Sequence, residues 1–230
     1  MRVSKVALRA LAGMIVMAVL IWSIREERTE IPVGSSNNQE AIATAGFDYY
    51  LIALSWSPTF CESNPQEREQ CGKRGYGFIL HGLWPQFERG RGPRDCSSQQ
   101  SPLPATIERT LGFMPSRSLI EHEWRAHGTC SGLGPEDYFA LSDRAFASIR
   151  IPASLQPDAL PGPMNAEDVR QAFIEANPTL EADMLGISCK SGKLSEVRIC
   201  VDTALQPRKC GKGVEMQCPR DVPLRIPLVR

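Results

Sequence analysis

Eight cysteines, all lying between Cys61 and Cys218, constrain this 230-residue chain more than any other feature. An even count in an exported chain reads as a disulfide framework, in which loops are stapled to the core. Zinc binding is the competing use of such cysteines, but no pair has the C-x2-C spacing of a zinc ribbon. Spacing alone leaves the pairing of Cys61, Cys71, Cys96, Cys130, Cys189, Cys200, Cys210 and Cys218 open.

The N-terminus supplies the reason to expect export. Arg2, Lys5 and Arg9 precede a continuous apolar run from Ala10 to Trp22, and Arg25-Glu26-Glu27-Arg28 close it. A run of 13 suits a signal peptide and falls short of the about 20 residues a spanning helix needs. No small-x-small cleavage site follows directly; Ala41-Ile42-Ala43 and Ala43-Thr44-Ala45 lie well downstream. Residues 1–25 are therefore read as a signal peptide or an N-terminal anchor, with residues 10–24 as a possible membrane tether. The body is then periplasmic or secreted. Residues 26–46, polar and containing Pro32, Gly34 and Ser35-Ser36-Asn37-Asn38, read as a flexible linker. One folded domain, expected to be monomeric, occupies residues 47–230.

Within it, Phe47–Trp56, Tyr76–Leu83 and Lys193–Asp202 carry the aromatic, aliphatic or alternating patterns of strands. Residues 61–75 and 87–100 read as loops. Pro104–Phe113, Ser116–His127, a segment from Pro135 to about Ile149, and an Asn165-capped segment through Ala176 read as helices. Strands and helices mix without a βαβ rhythm. The expected fold is α+β, a mainly antiparallel central sheet with several helices, stabilised by disulfides.

Charge narrows the partners. Of 26 basic and 26 acidic residues, five and four lie before residue 47, which leaves the body at about −1. Proteins that coat long nucleic acid carry a basic excess, because phosphate contacts supply affinity. A nucleic acid handled here would be held at a few local subsites. The run from Gln206 to Arg230, with six Lys/Arg against Glu215 and Asp221, reads as a solvated tail.

The three histidines occupy only two short stretches, residues 78–86 and 122–130. His122 and His127 lie within six residues, beside Glu123 and Arg125. Histidine is the side chain best suited to exchange protons near neutral pH. A zinc hydrolase needs His-Glu-x-x-His, which stacks both imidazoles on one helical face. Here the spacing is one longer. At roughly 100° per residue, five steps turn His127 about 140° away from His122. That disfavours a shared metal, and no cofactor is expected. Cleavage of RNA by internal transfer fits better. A base takes the 2′-OH proton, the oxygen attacks phosphorus, and an acid protonates the departing 5′-oxygen. DNA lacks the 2′-OH and is not expected to react.

Phe78-Ile-Leu-His-Gly-Leu-Trp-Pro85 and His122-Glu-Trp-Arg-Ala-His-Gly-Thr-Cys130 resemble the two active-site segments of T2-type ribonucleases, in the right order. Trp56-x-Pro58-x-Phe60-Cys61 adds weaker support. The likeness frames residues 47 to about 140, and the later cysteines extend it to about 218. It implies an endoribonuclease acting on single-stranded RNA through 2′,3′-cyclic phosphate to 3′-phosphate ends. His127 would be the general base, His81 the general acid, His122 the phosphate holder and Glu123 a stabiliser of the transition state. Trp84 would stack on a base, with plain core packing as the other reading for Trp84 and Trp124. The resemblance also implies the pairing Cys61–Cys71, Cys96–Cys130, Cys189–Cys218 and Cys200–Cys210.

Two positions depart from the family pattern. Ala126 stands where members usually carry Lys, and the neighbouring Arg125 points about 100° away on a helix, so either Arg125 reaches round to bind the substrate, or another cation serves, or turnover is reduced. Gln86 stands where members often carry an acid, which broadens the base preference expected. With Ala126 as a lesion, a catalytically weakened RNA-binding protein on the same scaffold is the alternative.

Overall fold

The computed structural model describes residues 36–229 apart from 73–74, 98–99, 215 and 220. The expected leader and tether lie outside the described residues. Part of the segment read as linker is folded. Helix α1 spans Ser36–Thr44 and buries Ile42 to 3% exposure against the core. Its polar composition concealed Ile42 and the smaller Ala41, which packs beside it.

The core is built on four strands: β1 (Tyr49–Trp56), β2 (Phe78–Gln86), β3 (Leu185–Lys190) and β4 (Lys193–Val201). Their order is β2-β1-β4-β3, and every neighbouring pair is antiparallel. β1 is apolar on both faces because it is central. Tyr50, Ile52 and Leu54 join Leu80, Leu83, Val197 and Ile199 in the main core. Tyr49 and Leu51 meet Cys200 and Val214 on the other face. β3 is the strand the sequence hid. Only Leu185 and Ile187 of it enter the main core, and Gly186 and Ser188 interrupt the pattern.

Helices cover the main core face. α2 (Ser57–Ser63) and α3 (Arg68–Cys71) occupy a stretch that reads as strand end and loop. α4 (Pro104–Thr110), α5 (Arg117–Ala126), α6 (Pro135–Ala147) and α7 (Ala166–Ala176) follow. Asn165 caps α7 in a reciprocal capping box with Asp168, which satisfies otherwise unpaired N–H groups at the helix start. α6 buries Tyr138 and Phe139, and the Tyr138 hydroxyl donates to the Leu83 carbonyl at 2.9 Å, pinning β2 from behind. The architecture is α+β with a wholly antiparallel sheet. The bridges join Cys61 to Cys71, Cys96 to Cys130, Cys189 to Cys218 and Cys200 to Cys210, the same four pairs that the resemblance implies. Such bridges fit folding in an oxidising compartment.

Candidate active site

β2 carries a bulge at His81. Ala53 faces Gly82 across the ladder and Leu54 faces Leu80, so His81 is the extra residue. Side chains on a regular strand alternate between faces, which would send His81 and Trp84, three apart, to opposite sides. The inserted residue resets the alternation. Leu80 and Leu83 both enter the main core, while the His81 and Trp84 rings meet edge to face at 5.1 Å.

α5 supplies the second group. Ser116 caps its start by accepting from the Leu119 N–H. Ile120 and Trp124 point into the core, and Glu123 is buried to 1% exposure. The helix ends at His127, whose φ of −129° leaves helical geometry before a 3-10 turn over Gly128–Cys130. His127 thereby turns into the cleft lined by Trp84, Gln86, Arg94 and Arg198. His122 stays exposed on the helix and lines an adjoining recess with His81.

The groups form one connected set. His81 Nδ1 lies 2.6 Å from Glu196 Oε1, and Arg198 donates to Glu196 Oε2 through Nε at 3.0 Å and Nη2 at 2.7 Å. His81 Nε2 lies 3.5 Å from Glu123 Oε1. Trp84 Nε1 donates to Glu123 Oε2 at 2.7 Å. The Trp84 ring stacks on His127 with centroids 5.0 Å apart and planes at 25°. Arg94 Nη1 donates to His127 Nε2 at 3.1 Å. A guanidinium has no lone pair to offer, so Nε2 must be the acceptor and His127 neutral.

Electrostatics separate the two imidazoles. Burial, then the positive charge of Arg94, pushes His127 down to about 3. Burial also opposes charging of His81. The hydrogen bond to Glu196 and the charges of Glu123 and Glu196 outweigh it and raise His81 above its usual value. Burial lifts Glu123 to about 7 against the pull of His81, Trp84 and Arg94. Glu196 is buried too, yet His81 and Arg198 hold it down to about 2. His122, exposed on one side, is lowered by partial desolvation of its ring and then by Arg94 and Arg125. The surroundings thus bias His127 toward accepting a proton and His81 toward holding one, which suits them to opposite halves of a proton-transfer reaction.

Of the residues singled out from sequence, His81, Glu123, His127 and Trp84 meet directly, and His122 is adjacent. Gln86 lines the cleft, with its amide nitrogen turned to the Pro85 carbonyl at 2.9 Å. Arg125 is exposed and lines a separate groove with Glu121 and Trp124. One face of Trp84 is taken by His127, and the Arg198 guanidinium stands 5.8 Å from its ring centre, so this ring is engaged within the site. Trp124 is a core residue whose indole N–H donates to the Gln100 carbonyl at 2.7 Å.

Sequence reasoning missed Glu196, Arg198 and Arg94. Glu196 and Arg198 sit two apart on β4, polar residues on one side of a strand whose Val197 and Ile199 are core. That alternation was a usable signal. Arg94 lay inside a stretch read only as loop. Among the described residues, no group of three or more His, Cys, Asp or Glu is placed to hold a metal ion.

With this geometry in hand, the likeness to known proteins is informative. A ribonuclease of Aeromonas hydrophila is 47% identical over 108 residues, covering 46% of this chain and 49% of that protein. A probable ribonuclease of Haemophilus influenzae is 32% identical over 184 residues, covering 73% of this chain and 62% of its own. The chain thus spans about half to just under two thirds of these curated relatives. Among solved structures, the RNase-related protein from Calystegia sepium matches with a TM-score of 0.60 at 25% identity, over 76% of this chain and 95% of that one. Residues 47–210 match the Ribonuclease T2 family, and the chain belongs to it.

Proposed function

We propose that this protein is an exported, monomeric endoribonuclease that cuts single-stranded RNA by metal-free transphosphorylation. The observation that carries this reading is the pair of histidines that both meet Trp84, with His127 Nε2 accepting from Arg94 and His81 held between the carboxyl groups of Glu123 and Glu196.

In the first step His127 Nε2 takes the proton of the 2′-OH. The 2′-oxygen bonds to phosphorus, the bond from phosphorus to the 5′-oxygen breaks, and His81 Nε2 protonates that oxygen. A 2′,3′-cyclic phosphate and a 5′-hydroxyl result. In the second step the roles reverse: His81 takes a proton from water, the water oxygen bonds to phosphorus, the bond from phosphorus to the 2′-oxygen breaks, His127 protonates that oxygen, and a 3′-phosphate is left. His122, on the edge of the same recess, holds the phosphate. Glu123 faces His81 and stabilises the charge that builds up in transit. Trp84 acts as a positioning residue, placing Glu123 through its N–H and His127 through its ring. Four disulfides and the apolar run near the N-terminus support export.

The test is the full chain on homopolymer RNA and matched DNA, with EDTA present and product ends analysed. Cyclic-phosphate ends from RNA alone are expected. Equal cutting of DNA, or loss of activity in EDTA, overturns the reading. Tight RNA binding without products would instead favour the weakened binding protein that Ala126 suggests.

A further inference from the structure

A crowded phosphorane needs a cation, and the position where relatives usually keep one is empty of charge. Ala126 is buried to 2% exposure, so that site presents nothing to a substrate. The cleft beside Trp84 and His127 offers Arg91, Arg94, Arg198 and Lys212. Arg198 is committed to Glu196 through two N–H groups. Among the described residues, Arg94 is the one of these four cations that hydrogen-bonds a histidine of the site.

Arg94 is also anchored on the turn that carries His127. The Asp95 N–H donates to the Ala126 carbonyl at 3.1 Å, and the Cys96 N–H to Thr129 Oγ1 at 3.2 Å. Cys96 is then bonded to Cys130. Asp95 adopts a φ of 53°, a left-handed conformation that aspartate tolerates better than most residues. Three separate ties and a turned backbone hold this loop against the end of α5. These ties also fix where the Arg94 side chain stands relative to His127.

We propose that Arg94 is the phosphate-binding cation of this site, supplying from the loop after β2 the charge that residue 126 lacks. The inference rests on the reading of the cleft as an RNA-cleaving one. One guanidinium N–H covers the lone pair of His127 Nε2. When RNA binds, the 2′-OH takes that place and the guanidinium moves onto the non-bridging phosphate oxygens, for which its planar fork is suited. The exchange couples charge to chemistry. An imidazolium beside a bare guanidinium is unfavourable, which keeps His127 neutral beforehand. Once the negative phosphorane lies between them, both positive groups are compensated.

The experiment compares the full-length protein with Arg94→Ala and Arg94→Lys on a dinucleotide substrate, in EDTA, with thermal melting as the control for folding. Arg94→Ala is expected to lower kcat by about 10²–10³-fold, the size of losing one oxyanion donor. Arg94→Lys is expected to recover part of it, and free guanidinium at sub-denaturing concentration is expected to rescue the alanine variant. The acid limb of the pH profile should also move up when the guanidinium is removed, because its charge depresses His127. Activity within about twofold of wild type in Arg94→Ala overturns the proposal. So does a loss that neither lysine nor guanidinium relieves and that tracks a lowered melting temperature. If the wild-type chain releases no cyclic phosphate from RNA, the RNA-cleaving reading itself falls, an outcome distinct from a silent Arg94 variant.

Discussion

Glu196 Oε1 lies 2.6 Å from His81 Nδ1 across 115 residues of sequence. An ionised carboxylate only accepts, so Nδ1 must carry a proton, and the imidazole turns Nε2 toward Glu123. The bond fixes both the direction of the imidazole and its readiness to hold a second proton.

Replacing Glu196 by glutamine tests that pairing. His81 must be protonated to act as an acid, so activity is present below its pKa and is lost as pH rises through it. Glu196 raises that pKa. Glu196→Gln is therefore expected to move the alkaline limb of kcat/KM down by about one unit, the equivalent of a charged hydrogen bond of about 1.5 kcal/mol. An unmoved limb would show that Glu196 does not set the proton affinity of His81.

Glu123 makes activity and stability pull apart. Its carboxyl is lifted from 4.5 to about 7 chiefly by burial, so the folded state holds the proton more tightly than the unfolded one. Stability is lost as pH rises from about 4.5 to about 7, and the full cost is present above that. Glu123→Gln keeps an oxygen for the Trp84 N–H but removes the buried charge. The variant is expected to lose activity and to gain about 1–3 kcal/mol at pH 8 in urea unfolding. A less stable variant would contradict this.

Gly82 admits no side chain. A Cβ there would stand 2.1 Å from Glu123 Oε2 and 2.2 Å from Trp84 Nε1, on top of the bond joining them. Gly82→Ala is expected to break that bond and lower kcat by at least about tenfold, with a larger proportional effect on kcat than on KM. The indole fluorescence of the folded variant should shift as Trp84 is displaced. Wild-type kinetics would mean that the site tolerates separation of Trp84 from Glu123.

The bridge between Cys96 and Cys130 has a different signature from the one between Cys200 and Cys210. The first closes a separation of 34 residues and ties the Arg94 loop to the His127 turn. Removing it with paired serines is expected to cost about 3–4 kcal/mol and, where the variant is still folded, to depress kcat. The second closes a separation of 10 and joins Cys200 of β4 to Cys210 beyond it, tying neither the Arg94 loop nor the His127 turn. Its removal is expected to lower the melting temperature and leave kcat of the folded fraction near wild type.

Much of this arrangement was legible in advance. The two histidine segments announced His81, Glu123 and His127 because the residue types and spacing were unusual for a chain with three histidines. α7 was readable from Asn165 and its acidic first turn, since capping is a local interaction. β3 was not, because two apolar residues give too little period to detect. Neither was the helical part of the expected linker, where Ile42 is buried and only the small Ala41 packs beside it. Arg94 and Glu196 reach the site only through pairing and bridging of distant segments; the alternation on β4 sets Glu196 off the core face but does not say what it meets, and Arg94 has no such mark.

The bulge at His81 has a consequence for how this segment can vary. A substitution in β2 changes one side chain, but a one-residue deletion between Leu80 and Leu83 would restore plain alternation. Leu83 and Trp84 would keep their partners Ile52 and Leu51, but His81 would either be lost or take the place opposite Ala53, where a Cβ runs into Glu123 Oε2 and Trp84 Nε1. The strand could still pair with β1, yet no imidazole would be held between Glu123 and Glu196. What this stretch must conserve is therefore its count of residues as much as their identity, and length variants here should be poorer enzymes than point variants of equal stability.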